Sequence, residues 1–257
     1  IYTNKVNKML NNADYKCFII HLKRAEKRKV YVNNIISQLS VPSEIINAVD
    51  GKLLSDNDIS KYCSTDPLFE PKYPFKLNKG EIGCFLSFRK AWKRIVDQKL
   101  TAGLIFEDDV SLDLNIFNKS LNTALNWIDD YGYIQFQVRD IPEKSKLIKS
   151  RNDVKLFQPL PILLRCSAQL ISYNTAKKLL ELTQVFDRPV DGLLQLEWDT
   201  NIKISTITPS GVIDNTKDSG GSNLSIDMPF RQKLQHEWTR LKYRKKIVKY
   251  ANKINKI

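Results

Sequence analysis

Residues Leu104-Ile105-Phe106-Glu107-Asp108-Asp109-Val110 run three apolar side chains straight into three consecutive carboxylates before turning apolar again. A short run rich in branched and aromatic residues reads as a buried strand, so the acids begin where that strand leaves its sheet. Side chains alternate along an extended chain, which would aim Glu107 and Asp109 one way and Asp108 the other. Three like charges this close repel unless something positive sits among them. Hard oxygen ligands of this kind suit Mg²⁺ or Mn²⁺, Mg²⁺ commonly taking one or two carboxylates plus substrate phosphates. Taken alone, such a triplet is more often a solvated acidic turn.

The neighbouring segments supply context. Lys16–Leu22 (KCFIIHL) is a second buried-strand candidate, Lys23–Leu39 favours helix, and Ile45–Val49 reads as a strand stopped by Asp50-Gly51. Strand, helix, strand in so few residues is a βαβ unit and implies parallel pairing. Lys23, Arg24, Lys27 and Arg28 follow the first strand. Ligands of open α/β sheets bind outside the carboxyl ends of strands, so cations there suit an anion, or else form a solvated helix face. Residues 56–77, with Pro67, Pro71 and Pro74, read as a long irregular connection. Asn78-Lys79-Gly80-Glu81 fits an N-cap with Glu three residues later, and Ile82, Phe85, Phe88, Trp92 and Ile95 continue as one apolar helix face.

Beyond Val110 the pattern is helical to about Asp130, with Tyr131–Val138 a strand and Arg139–Asn152 an exposed loop. Pro161–Ser172 reads as a long strand, and Asn174 as the cap of a helix holding Ala176, Leu179, Leu180 and Leu182. Pro189-Val190-Asp191-Gly192 opens a segment through Trp198, Ile202–Ile207 is a strand, and Asp214–Asp227 is a Gly/Ser/Asn/Asp-rich loop suited to a lid.

Charge divides the chain in two. Residues 231–257 hold ten Lys or Arg against one acid, Glu237, and so carry nine of the thirteen net positive charges. The expected division is an enzyme-sized body, 1–230, and a basic helical tail, 231–257. In the tail Leu234, Trp238, Leu241 and Val248 recur between basic residues, the pattern of an amphipathic helix at an anionic membrane surface. A nucleic-acid-binding tail is the rival, and the less favoured one. Cys17, Cys63, Cys84 and Cys166 show no Cys-x-x-Cys pairing, which speaks against a zinc site or disulfide framework and for thiols in a reducing cytosol. No stretch approaches 18 uninterrupted apolar residues, and the opening IYTNKVNKML lacks the apolar run of a signal peptide.

In this order the pieces resemble glycosyltransferase family 25, which includes bacterial lipooligosaccharide galactosyltransferases. CFIIHLKRAEKR, NAVDGKLL, LNKGEIGCFLSFRKAW, LIFEDDV, SAQLISYNTAKKLL and PVDGLL carry the likeness. The chain departs at His21, where members usually have Asn, and at Phe88, where they usually have His. The resemblance implies a GT-A-like α/β fold, with a mixed, mainly parallel sheet flanked by helices. It implies a UDP-sugar donor, UDP-galactose before UDP-glucose, and inversion at the anomeric carbon. The acceptor would be a terminal sugar of a lipid-linked oligosaccharide, which places the protein in the cytoplasm at the inner membrane.

Within that frame Glu107 and Asp109 would hold Mn²⁺ or Mg²⁺, Asp109 foremost, while Asp108 reaches the ribose or supports the ligands. Lys23, Arg24 and Arg28 would hold uracil, ribose or phosphate, with His21, Glu81 and Ser87 completing the donor set. Glu81 is equally explained by its capping box and Ser87 by helix packing. An inverting transfer needs a carboxylate base; Asp191 is the first choice, with Glu197 and Asp187 as rivals and an ordinary helix-start Asp as the alternative. A non-enzymatic basic binder of nucleic acid or lipid is the hypothesis from another class.

Overall fold

The computed structural model describes residues 15–219 and 229–254. The first βαβ unit is β1 (Tyr15–His21), α1 (Lys29–Gln38) and β2 (Ser43–Asn47), with a 3-10 turn at Glu26–Arg28 between strand and helix. Then follow α2 (Asp56–Tyr62), α3 (Lys79–Asp97), β3 (Ala102–Glu107), β4 (Val110–Leu112), α4 (Leu114–Leu125), α5 (Ile128–Tyr131) and β5 (Tyr133–Phe136). The second half holds β6 (Lys146–Arg151), β7 (Val154–Gln158), β8 (Ala168–Ser172), α6 (Tyr173–Leu182), α7 (Val190–Leu194), α8 (Glu197–Thr200), β9 (Ser205–Thr208), β10 (Val212–Asp214) and α9 (Phe230–Ile254).

Eight strands form one sheet in the order β2-β1-β3-β8-β5-β9-β7-β6, and β4 with β10 forms a separate ribbon. The sheet is mixed. β1 runs parallel to β2 and β3, and β5 to β9, while β8 is antiparallel to both its neighbours and β7 to both of its own. Alternation of side chains splits the core between the faces. Cys17, Ile19, Leu104 and Phe106 pack with α1 and α4. Phe18, Ile20 and Ile105 pack with α3, α6 and α7. The result is helix, sheet, helix.

Several expectations are revised. Arg139–Asn152 is not all loop: β6 lies in it as a polar strand at the sheet edge, paired with β7. Of Pro161–Ser172 only Ala168–Ser172 is strand, and residues 161–167 cross the strand ends without regular structure. α6 is capped by Ser172, whose Oγ accepts from the Thr175 N–H, rather than by Asn174. Most of the expected lid, from 220 on, lies outside the described residues.

α3 carries both features read from its sequence. Asn78 Oδ1 accepts from the Glu81 N–H and Glu81 Oε2 from the Asn78 N–H, each at 2.9 Å, closing a reciprocal capping box. Gly83 lets the helix lie directly on the loop after β2: a Cβ there would meet Val49 O at 2.6 Å. Gly51 faces Lys79 O more tightly still, at 1.9 Å from an added Cβ.

The basic C-terminal helix packs on the body. Tyr243 and Ile247 of α9 are buried in a small cluster with Leu196, bordered by Phe69, Tyr73 and Trp198. Fully buried Arg188 ties the pieces together: its guanidinium donates to Phe69 O at 2.9 Å, Pro71 O at 3.2 Å and Tyr243 Oη at 3.1 Å, and pairs with Asp187 at 2.7 Å. Removing one member of a buried network leaves its partners unsatisfied. Arg188→Met is therefore expected to lower stability by about 3–5 kcal/mol in urea denaturation, with Arg188→Lys recovering part. A loss below about 1 kcal/mol would show that α9 is held by apolar contact alone.

Candidate active site

β1 and β3 lie side by side, Ile20 opposite Glu107, so the chain leaves both strands at adjacent points. Asp108 is drawn into that junction. Its Oδ2 lies 2.7 Å from His21 Nδ1 and accepts from the Leu22 N–H at 3.2 Å, while Oδ1 accepts from Arg28 Nη1 at 2.8 Å. Asp108 and Asp109 sit in a turn between β3 and β4. Strict alternation therefore ends at Glu107, and Arg28 reaches both aspartates, its Nη1 also lying 3.1 Å from Asp109 Oδ2. The β4–β10 ribbon supports Asp109 from the other side, through Thr216 Oγ1 to Asp109 Oδ2 at 3.1 Å and Asn215 N–H to Asp109 O at 2.8 Å.

These acids open onto a cavity of about 460 Å³, within the range of small-molecule sites. Glu107, Asp108 and Asp109 line one end, and Asp191, Glu81, Tyr73, Cys84, Cys166 and Arg165 contribute further walls. The carboxylates shift upward together. Burial, reinforced by Asp109 and Asp108, pushes Glu107 up to about 8. Burial also raises Asp109, against the pull of Arg28, and raises Asp191, against backbone N–H donors. Glu81 is raised by burial and opposed by its capping hydrogen bond.

Asp191 occupies the first turn of α7 but does not cap it, since Pro189 holds that position. Its Oδ1 accepts from the Gly192 N–H at 2.8 Å and its Oδ2 from the Arg165 N–H at 3.4 Å. Arg165 adopts a left-handed backbone, φ 84°, uncommon for a residue with a Cβ, and pairs with Asp214. That conformation hooks the segment before β8 between Asp191 and the β10 ribbon.

The residues expected at a site divide as follows. Arg24, Arg28, Glu81, Ser87, Glu107, Asp108, Asp109 and Asp191 line the cavity. Arg28 is committed to the aspartates, and Arg24 Nε donates to Asp50 at 2.7 Å. Ser87 Oγ donates to Gly83 O and accepts from the Val49 N–H, a structural bond at the cavity wall. His21 stands behind Asp108, outside the lining, and Lys23 is exposed and likewise outside it. The rivals to Asp191 are engaged elsewhere: Glu197 with Gln158, Asp187 with Arg188 and the Leu68 N–H. Phe88 is buried in the core and forms part of the cavity wall. Sequence reasoning missed Arg165, Tyr73, Thr216, Arg240 and Arg244. Nothing local marks the first three, and the last two were absorbed into a tail read as a membrane-facing basic helix.

The donor set bears on metal binding. Among the described residues no group of three or more His, Cys, Asp or Glu is arranged to hold an ion. Asp108 has both oxygens engaged, which leaves two all-oxygen carboxylates, Glu107 and Asp109, facing one cavity with upward-shifted pKa values. That set fits Mg²⁺ or Mn²⁺ completed by substrate oxygens rather than a closed protein cage.

Comparison with known proteins agrees with the likeness of the motifs. Residues 14–194 match the profile of glycosyltransferase family 25 (LPS biosynthesis protein). The chain is 34% identical over 140 residues to procollagen galactosyltransferase 2 of Homo sapiens, covering 50% of this chain and 22% of that protein. It is 27% identical over 192 residues to procollagen galactosyltransferase 1-A of Xenopus laevis, covering 71% of this chain and 31% of that one. A Rattus norvegicus relative named probable inactive glycosyltransferase 25 family member 3 is 34% identical over 111 residues, covering 42% of this chain and 19% of the relative. The chain thus spans about a fifth to a third of the length of these relatives.

The Arg28 bridge gives the site a measurable test. Arg28→Met strips the cation from two part-buried carboxylates and is expected to lower stability by about 3–5 kcal/mol in urea denaturation. Asp108→Asn added to it should recover part of that loss; a second variant that only adds to the damage would show that the two groups do not act as a pair.

Proposed function

Because the chain belongs to glycosyltransferase family 25, we propose that it transfers a hexose from a UDP-sugar, galactose before glucose, to a sugar hydroxyl with inversion. The observation that carries this reading is the single cavity that holds Glu107 and Asp109 at a strand end together with Asp191 on a separate helix. Asp191 takes the proton from the acceptor hydroxyl. The freed oxygen forms its bond to the anomeric carbon from the face opposite the diphosphate, while the bond from that carbon to the diphosphate oxygen breaks and UDP departs. Burial raises Asp191 above the ordinary carboxylate range, which makes it a stronger base once ionised.

Glu107 and Asp109 hold a divalent ion, which when bound supplies Lewis-acid neutralisation of the departing diphosphate. Arg28 and His21 hold the acidic turn in place. Arg24, on the same wall, pairs with Asp50 through its Nε and offers its other guanidinium N–H groups to phosphate or ribose.

The acceptor in this reading is a lipid-linked saccharide. Among the described residues no helix is long and apolar enough to cross a membrane. The outer face of α9 offers a means of contact with a bilayer. Leu234, Trp238, Leu241 and Val248 are exposed, Trp238 at 62%, on the side opposite buried Tyr243 and Ile247. Lys242, Lys246, Lys249 and Lys253 flank that row, and each basic side chain near an anionic surface contributes about 1 kcal/mol. A protein that binds UDP but transfers nothing is the second reading, since the family contains relatives named inactive.

Two outcomes are expected. Screening UDP-sugars for transfer or hydrolysis should find turnover in the wild type. Asp191→Asn should cut it at least 10³-fold with UDP affinity retained, and Asp109→Ala should abolish Mn²⁺-dependent UDP binding in calorimetry. Turnover surviving Asp191→Asn would discard Asp191 as base, and UDP binding with no turnover on any donor would favour the inactive reading. Separately, the full chain should float with liposomes containing phosphatidylglycerol but not with neutral ones, and Leu234→Glu with Trp238→Glu should leave it in the pellet. Flotation indifferent to lipid charge or to these substitutions would remove α9 from the membrane.

A further inference from the structure

The inner face of α9 does more than pack. Arg240 and Arg244, one helical turn apart and therefore on the same side, line the cavity beside Tyr73, Glu81 and Asp191. Arg240 is half-buried and donates to Glu237 Oε1 at 2.7 Å. Arg244 is exposed and has no carboxylate partner among the described residues.

The cavity carries cations on more than one wall, two of which matter here. At one, Arg28 meets Asp108 and Asp109. At the other, Arg240 and Arg244 stand with Glu81 and Tyr73 in the lining, and the positive charge of Arg240 pulls both of those groups down. Asp191 lines the same cavity and acts on Glu81 and Tyr73 as well as on Glu107. If the donor diphosphate is held at the Glu107–Asp109 end and Asp191 is the base, the acceptor enters from the α9 side. An arginine wall with one guanidinium unpaired is suited to a carboxylate or phosphate, which its planar fork grips through two hydrogen bonds.

We propose that Arg240 and Arg244 form an anion-binding wall that selects an acceptor saccharide bearing a phosphate or carboxylate group. The inference rests on the donor and base assignments above. It makes α9 part of the substrate site as well as a membrane-facing element.

The test is calorimetry on the full chain in two arms. In the first, UDP with Mn²⁺ is titrated into wild type and Arg244→Ala; the two affinities are expected to agree within twofold. In the second, with UDP saturating, glucose 6-phosphate, glucuronate and glucose are titrated in turn. At least one charged sugar is expected to bind ten times more tightly than glucose, a preference falling below threefold in Arg244→Ala and partly kept in Arg244→Lys. Equal binding of charged and neutral sugars by the wild type overturns the proposal. So does a tenfold loss of UDP affinity in Arg244→Ala, which would assign the pair to the donor phosphates. Wild type that fails to bind UDP at all would bring down the donor reading beneath it. Because Arg244 is exposed, its replacement should leave the unfolding midpoint unchanged, so the binding loss cannot be mistaken for misfolding.

Discussion

Asp108 is gripped by Arg28, His21 and the Leu22 N–H, and the candidate site depends on that grip. Parallel pairing of β1 with β3 brings the residues leaving each strand together, so whatever follows Glu107 must meet whatever follows His21. Three unscreened carboxylates at such a junction would repel one another in a medium less polarisable than water. Engaging both oxygens of Asp108 and bridging it to Asp109 through one guanidinium lowers that repulsion. The cost of holding Glu107 and Asp109 at the junction is visible in their upward shift. The apolar core on both faces of the sheet is what can carry it.

Signals carried by neighbouring residues translated into structure. The buried strands β1 and β3, the capping box of α3 and the βαβ opening were all legible as local pattern. The failures have a common physical origin, which is tertiary context. β6 is polar because a sheet edge faces water on both sides, and periodicity cannot distinguish it from loop. Residues 161–167 are apolar because they pack against α7 and line the cavity, not because they are extended. For the site, the chemistry of Glu107, Asp109 and Asp191 was readable from residue type, but their convergence was not. His21 and Arg28, expected on the donor, both reach Asp108, a contact set by the strand register and not visible in the sequence.

α9 shows how a helix can mislead when read alone. Leu234, Trp238, Leu241 and Val248 are its most hydrophobic stripe, yet they are exposed. The buried stripe is Tyr243, Ile247 and Ala251, less apolar in sum, and it is held by partners far away in sequence: Leu196 and Arg188. Nothing within the helix announces those partners. A helix with one face on the body and another apolar face in water is divided between two surroundings, and its arginines fall on the boundary between them.

That boundary has a consequence for the cavity. Glu81 closes the capping box of α3 and also lines the cavity, so the geometry that starts the helix fixes a carboxylate opposite Arg240. Asp191 is fixed in the same manner, by the Gly192 and Arg165 N–H groups rather than by a cation. A carboxylate steadied by neutral donors and raised by burial retains basicity that an arginine partner would suppress. The arrangement therefore leaves the one carboxylate whose proposed task is to accept a proton in direct contact with neutral N–H donors alone, with Arg139 acting on it only through its charge.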